Sequence, residues 1–230
     1  MKRQLIITCT LALYCFFGGI NAVSQANNRY TIEVKRGNEA ALYAQTILKF
    51  KFDNFQGWPY FYDVTKWLKE EEEYIASSQG QEHSLLAIAK YDGEVIGLIT
   101  GSPLKIHHDL IGACTLKDFN TSEYYYYGEV MVQQAHRGNH LVTKMFEQAN
   151  KIVKTWGYKH ASLVTVIRSD DDARKPDNAL NSGLIWAHVG YKKTDITLPY
   201  TWPTFTDKAC TTSSMIENKL VLWIKDLEQP

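Results

Sequence analysis

The apolar and polar positions of this chain change period along its length, and each change predicts an element. Residues 31–35 alternate apolar with polar, the period of a half-buried strand. Asn38 can cap a helix running to about residue 52, with Ala41, Ala44, Ile47 and Leu48 on its apolar side. Gly57-Trp58-Pro59 breaks the chain. Asp63 or Thr65 then opens a second helix, through Trp67 and an acidic run at residues 70–73, to Ile75. That run predicts a solvated helix face. Residues 84–90 and 94–101 are two apolar strands around Tyr91-Asp92-Gly93, and Asp-Gly accepts the positive φ of a tight hairpin turn.

The second half alternates strand with helix. Tyr124–Val132 reads as a strand, and residues 137–155 as the clearest helix, with Val142, Phe146, Ala149, Val153 and Trp156 at helical spacing before Gly157. Residues 161–167 form a β-branched strand, 168–177 a charged loop and 178–188 a short helix. Gly190-Tyr191 leads into another strand, and residues 219–227 make the last. Antiparallel pairs followed by alternating β and α predict an α/β (α+β) fold. Its centre is a mixed, mostly antiparallel sheet with helices on both faces.

The first 25 residues are patterned differently. Lys2 and Arg3 precede an apolar run of 16 residues, 5–20, and the small residues Ala22, Ser24 and Ala26 follow. The run is short of the roughly 20 residues that a spanning helix needs. It predicts a cleaved export signal over 1–25 and one domain over 26–230, in a periplasmic or secreted protein. An uncleaved membrane anchor is the alternative. After cleavage no stable membrane span is expected. Two of the four cysteines, Cys9 and Cys15, fall in the signal; Cys114 and Cys210 remain as a disulfide or as two separate thiols. Lys plus Arg and Asp plus Glu both number 25, so charge points to no nucleic-acid partner. His107-His108 has no further ligand at metal-binding spacing, which predicts an exposed loop and no metal.

The chemistry is concentrated after the strand that ends at Val132. A tight turn, Gln133-Gln134-Ala135-His136-Arg137-Gly138-Asn139-His140, leads from it into the long helix. A helix N-terminus leaves backbone N–H groups unpaired and its dipole favours anions, so this unit is an anion-binding device. Arg137 adds charge, and Gly138 lets backbone approach the ligand.

Residues 132–142 resemble the signature of the GNAT acetyltransferase superfamily, in which a valine-ended strand precedes Q/R-x-x-G-x-G/A. Further resemblance to one subgroup runs through Trp58-Pro59-Tyr60-Phe61-Tyr62-Asp63, Val95-Ile96-Gly97 and Thr100-Gly101-Ser102-Pro103-Leu104. It continues at Tyr127-Gly128-Glu129, at Trp186 with Gly190-Tyr191, and at Trp223-Ile224-Lys225-Asp226-Leu227. The resemblance implies the GNAT fold and acetyl-CoA as co-substrate. It implies a donor site at Met131, Val132, Arg137, Gly138, Asn139, His140, Leu141 and Val142. Glu129 is implied as the base or amine-binding carboxylate. Tyr125, Tyr127 and Arg168 are the candidate substrate-binding residues, and Trp186 is expected to pack. Ala135, His140 and Val142 depart from the motif, and a side chain at 140 either crowds the pyrophosphate or hydrogen-bonds it. Two functions fit: an N-acetyltransferase acting on an amine of a small molecule or peptide, or an exported, inactive binding protein of the same fold.

Overall fold

The computed structural model describes residues 29–113, 119–179 and 182–227; the expected export signal and Cys114 lie outside them. In chain order the elements are β1 (Tyr30–Arg36), α1 (Asn38–Ala41), α2 (Ala44–Phe55), α3 (Leu68–Gln79), β2 (Leu85–Tyr91) and β3 (Glu94–Pro103). They continue as α4 (His108–Ala113), β4 (Tyr124–Val132), α5 (Leu141–Thr155), β5 (His160–Val166), α6 (Ser182–His188), β6 (Lys192–Phe205) and β7 (Ser213–Asp226). The seven strands form one sheet in the order β1-β2-β3-β4-β5-β7-β6, antiparallel except for β4 beside β5. The mixed, mostly antiparallel sheet read from the sequence is present. Among the described residues no helix is long and apolar enough to cross a membrane.

Local chemistry accounts for most of this order. Asp92 and Gly93 both take positive φ, 50° and 90°, and close the β2–β3 hairpin with the twist that antiparallel strands prefer. β2 is apolar from Leu85 to Ala89 because both its faces are covered there. Leu85, Ala87 and Ala89 pack toward α5, while Leu86 and Ile88 pack toward α2 and α3. α5 buries Leu141, Met145, Phe146, Ala149 and Val153 along one stripe.

Several boundaries differ from the sequence expectation. The first helix breaks at Leu42-Tyr43, and Gly37 (φ 51°) rather than Asn38 stands at its N-cap. α5 begins at Leu141, since residues Gln134–His136 coil into a 3₁₀ turn and His140 takes the left-handed conformation, φ 57° and ψ 22°. α6 runs over Ser182–His188, and residues 178 and 179 of the expected helix are not helical. β7 starts at Ser213, six residues earlier than expected, because the polar outer end of the β6–β7 hairpin lies on an exposed edge. Pairing there comes from register, which an apolar pattern does not record.

Two irregularities in β4 place everything that follows. Ile99 pairs with Val130 and Gly101 with Tyr127, so Thr100 alone faces both Gly128 and Glu129. This is a β-bulge. It reverses the alternation of side chains: Tyr125 and Tyr127 face α5 before it, and Val130 and Val132 do so after it. Glu129 and Met131 are thereby turned to the opposite face. The second irregularity is on the other edge. β4 pairs with β5 only from Tyr124 to Tyr126, against His160 to Ser162, and beyond that the two strands part.

Candidate functional site

The parting of β4 and β5 opens a wedge whose β4 side runs straight into the basic turn. Arg137 is exposed but tethered: its Nε donates to the Val132 carbonyl at 3.1 Å and its Nη2 to Asn54 Oδ1 at 3.4 Å. Gly138 has φ 83° with open space where a Cβ would stand. The Asn139 side chain donates to the His136 carbonyl at 3.0 Å, and the exposed His140 ring makes no cap bond. The first turn of α5 carries no acidic residue, so the field of its unpaired N–H groups is not cancelled locally. Met131, Val132 and Leu141 are buried and Val142 is half-buried. These four can offer backbone rather than side chains.

On the opposite face of the sheet the bulge aims Glu129 into a cavity of about 600 Å³. Glu129 is 5% exposed. Lys51 of α2 reaches its Oε1 at 2.9 Å, the Thr100 hydroxyl donates to its Oε2, and its own N–H donates to Thr100 Oγ1 at 2.9 Å. Lys51 also meets Glu71 Oε2 at 2.5 Å, and the Tyr62 hydroxyl donates to Glu71 Oε1 at 2.5 Å. Tyr62, Glu71, Lys51, Glu129 and Thr100 therefore form one buried chain of polar contacts. Two carboxylates face a single ammonium.

Helical spacing explains who takes part. Ile47, Phe50 and Lys51 share the buried side of α2, and Glu71, Ile75 and Ser78 share that of α3. The acidic run was expected to be solvated throughout. Glu70, Glu72 and Glu73 are exposed, whereas Glu71 turns inward with Ile75. Lys51, Glu71, Tyr62 and Thr100 were given no site role from the sequence, although Tyr62 and Thr100 fall in segments that carry the resemblance. Lys51 had one visible signal, its place on the apolar stripe of a helix.

Burial acts to raise the Glu129 carboxyl, but the Lys51 charge and the bonds from Thr100 and Lys51 together outweigh it and hold it below its ordinary value. Burial likewise opposes the Lys51 charge, and Glu129 with Glu71 overcomes it and raises this ammonium. Glu129 is thus a stable anion and a weakened base.

His107 also lines this cavity, contrary to the exposed loop expected for it. Its Nε2 lies 2.8 Å from Ser102 Oγ, and its ring sits 4.7 Å from that of Tyr126 and 6.0 Å from that of Tyr74. No group of three or more metal-ligating side chains occurs among the described residues. Burial pushes His107 from 6.5 to about 4, so the ring is neutral near pH 7. Between those values the unfolded chain binds a proton that the folded chain resists, and stability falls as pH falls. The full shift is worth about 3 kcal/mol, and half-burial of the ring leaves solvent to screen it to about 1–2 kcal/mol. His107→Gln should flatten the fall in melting temperature between pH 6.5 and 4 correspondingly. An unchanged slope would show that the ring titrates freely.

The expected substrate residues are dispersed. Tyr125 and Tyr127 are fully buried on the α5 face, where their hydroxyls donate to the His83 carbonyl at 3.0 Å and to Asn150 Oδ1 at 2.8 Å. The cavity lining includes neither, but it does include the intervening Tyr126. Arg168 donates to the carbonyls of Pro59 at 2.7 Å and Tyr60 at 3.2 Å, and lines a second cavity of about 360 Å³. Through Tyr60 it braces one wall of the larger cavity. Trp186 packs against Phe146, with ring centroids 6.4 Å apart, as expected of it.

Residues 52–175 match the model of the acetyltransferase (GNAT) family. Comparison with curated proteins finds no match. Among solved structures, a provisionally assigned acetyltransferase of Acinetobacter baylyi ADP1 is similar with a TM-score of 0.57 at 12% identity, over 87% of this chain and 94% of that one. An N-acetyltransferase of Staphylococcus aureus Mu50 gives 0.49 at 12% identity, over 86% and 99%. The first of these likenesses, at such identity, speaks for the fold alone.

Proposed function

We infer the activity from the family, for this chain belongs to the acetyltransferase (GNAT) family: we propose that it transfers an acetyl group from acetyl-CoA to an amine. One observation carries the reading. A single strand, β4, ends in the basic turn at a helix N-terminus and, through its bulge, aims a buried carboxylate into a cavity. Arg137, Gly138, Asn139 and His140, with backbone of Met131, Val132, Leu141 and Val142, would hold the phosphates and pantetheine of the donor. The donor's thioester supplies the acyl group. Glu129, kept charged by Lys51 and Thr100, serves as the anion that receives the acceptor as an ammonium ion rather than as a strong base; the ammonium gives up its proton to water before its nitrogen attacks the thioester, and the CoA thiolate leaves with a proton. The basic start and apolar run of residues 1–25 support export as part of the same reading.

Titration of the purified protein with acetyl-CoA and with free CoA tests the donor half. Arg137→Glu should weaken binding by about 1.5–3 kcal/mol, the usual worth of a charged hydrogen bond. A folded protein that gives no heat with either ligand would overturn the transferase reading. It would favour an exported binding protein of this fold, to which the pre-existing Lys51–Glu129 ion pair also lends support.

A further inference from the structure

The charges and walls of the larger cavity narrow the acceptor beyond an amine of any kind. Its buried ionic set is Glu71, Glu129 and Lys51, so one negative charge is left uncompensated at its inner end. An uncompensated buried charge is costly, and a single arriving cation relieves it. The walls between that charge and solvent are largely aromatic, with Tyr60, Trp67, Tyr74, Tyr126, Tyr200 and Trp202 among them. Aromatic faces attract a cation and cover an apolar or aromatic body equally well. Lys51 already uses one of them, its Nζ lying 5.1 Å from the centre of the Tyr74 ring. The volume, about 600 Å³, lies within the roughly 300–1,000 Å³ of small-molecule sites.

The remaining carboxylates of the lining, Glu70 and Asp109, are exposed. Exposed charges steer an approaching cation but bind it weakly, so they give no firm seat for a second ammonium group. We propose that the cavity takes a small amine with one positive charge on an aromatic body, an arylalkylamine. The assignment rests on the amine-acetylation reading and deepens it. The buried anion selects the single charge, and the aromatic walls select the body.

The test is calorimetry on the unmodified protein, with and without saturating CoA, using phenethylamine, phenethyl alcohol and putrescine. Phenethylamine should bind at least roughly tenfold more tightly than either of the others, the worth of one charged contact in a desolvated site. Glu129→Gln should cost about the same factor for phenethylamine while leaving the affinity for acetyl-CoA unchanged. Equal binding of the alcohol would overturn the role of the buried anion. Tighter binding of putrescine would overturn the single charge and the aromatic body together. If acetyl-CoA binds and phenethylamine does not under either condition, the acceptor assignment falls and acetyl transfer stands. If phenethylamine binds and neither acetyl-CoA nor CoA does, the cavity keeps its ligand and the transferase reading falls.

Discussion

Replacing Lys51 by methionine should destabilise the protein by about 3–5 kcal/mol, the cost of stranding buried carboxylates without their counter-charge. Lys51 is 5% exposed and is the ammonium shared by Glu71 and Glu129. Methionine fills similar space, so the loss reports charge rather than a cavity. The pH dependence gives the diagnosis. In the native protein the Glu129 carboxyl lies below its ordinary 4.5, so its contribution is present above that value and is lost as pH falls through the lowered one. The Lys51 ammonium lies above its ordinary 10.5, so its contribution is present below 10.5 and is lost only at strongly alkaline pH. Without Lys51 the sign for Glu129 reverses: burial now favours the protonated acid, and the deficit of the variant should shrink as pH drops toward 5. Denaturant unfolding at pH 7.5 and pH 5 measures both effects. A deficit under about 1 kcal/mol, equal at the two pH values, would mean that water rather than Lys51 solvates the pair. Converting Lys51, Glu71 and Glu129 together to neutral isosteres should recover most of the loss, because the desolvation cost disappears with the charges.

The same network marks the limit of what the sequence discloses. Wherever one local rule decided the outcome, the pattern sufficed. Asp92-Gly93 closed its hairpin, β4 ran over Tyr124–Val132 as read, and the stripe through Phe146, Ala149 and Val153 faced the core. The basic turn before α5 was legible for the same reason, since its glycine, its arginine and the helix start are contiguous. The cavity around Glu129 was not. The polar network at its edge comes from α2, α3, β3 and β4, with Tyr62 from the α2–α3 connection, and Lys51 and Glu129 are 78 residues apart. Only the tertiary fold brings them together. Glu71 was hidden inside an acidic run whose other members are solvated.

The bulge was invisible in a further sense. Period-two alternation assigns Tyr125, Tyr127 and Glu129 to one face, and a single extra residue opposite Thr100 separates them. The two tyrosines expected at the substrate became core, and the glutamate expected beside them reached the cavity alone. Gly128 fits this arrangement, for a Cβ there would stand 3.1 Å from Tyr74 Oη and 3.2 Å from Thr100 Oγ1. A side chain at 128 would press on the group that bonds Glu129.

Phe146→Ala should cost about 3–5 kcal/mol, toward the upper end for a core phenylalanine. The side chain is 1% exposed and sits where α5, β4, α6 and the Tyr191 that follows α6 meet. Its ring centre is 5.0 Å from that of Tyr127, nearly perpendicular at 87°, and 5.5 Å from that of Tyr191. The cost of such a truncation depends on how far neighbours collapse into the space. Here collapse is restrained, because the Tyr127 hydroxyl is held by Asn150 at 2.8 Å and cannot follow the missing ring without breaking that bond. Breaking it would strand a buried hydroxyl, at about 1–3 kcal/mol. Phe146 lies on the face of the sheet away from Lys51, so the pH profile should keep its native shape while the whole curve drops. Denaturant unfolding at pH 7.5 and 5 separates the two variants: a uniform loss for Phe146→Ala, a pH-dependent one for Lys51→Met. A loss below about 1.5 kcal/mol for Phe146→Ala would show that the α5 face repacks freely, and that the Tyr127–Asn150 bond does not brace it.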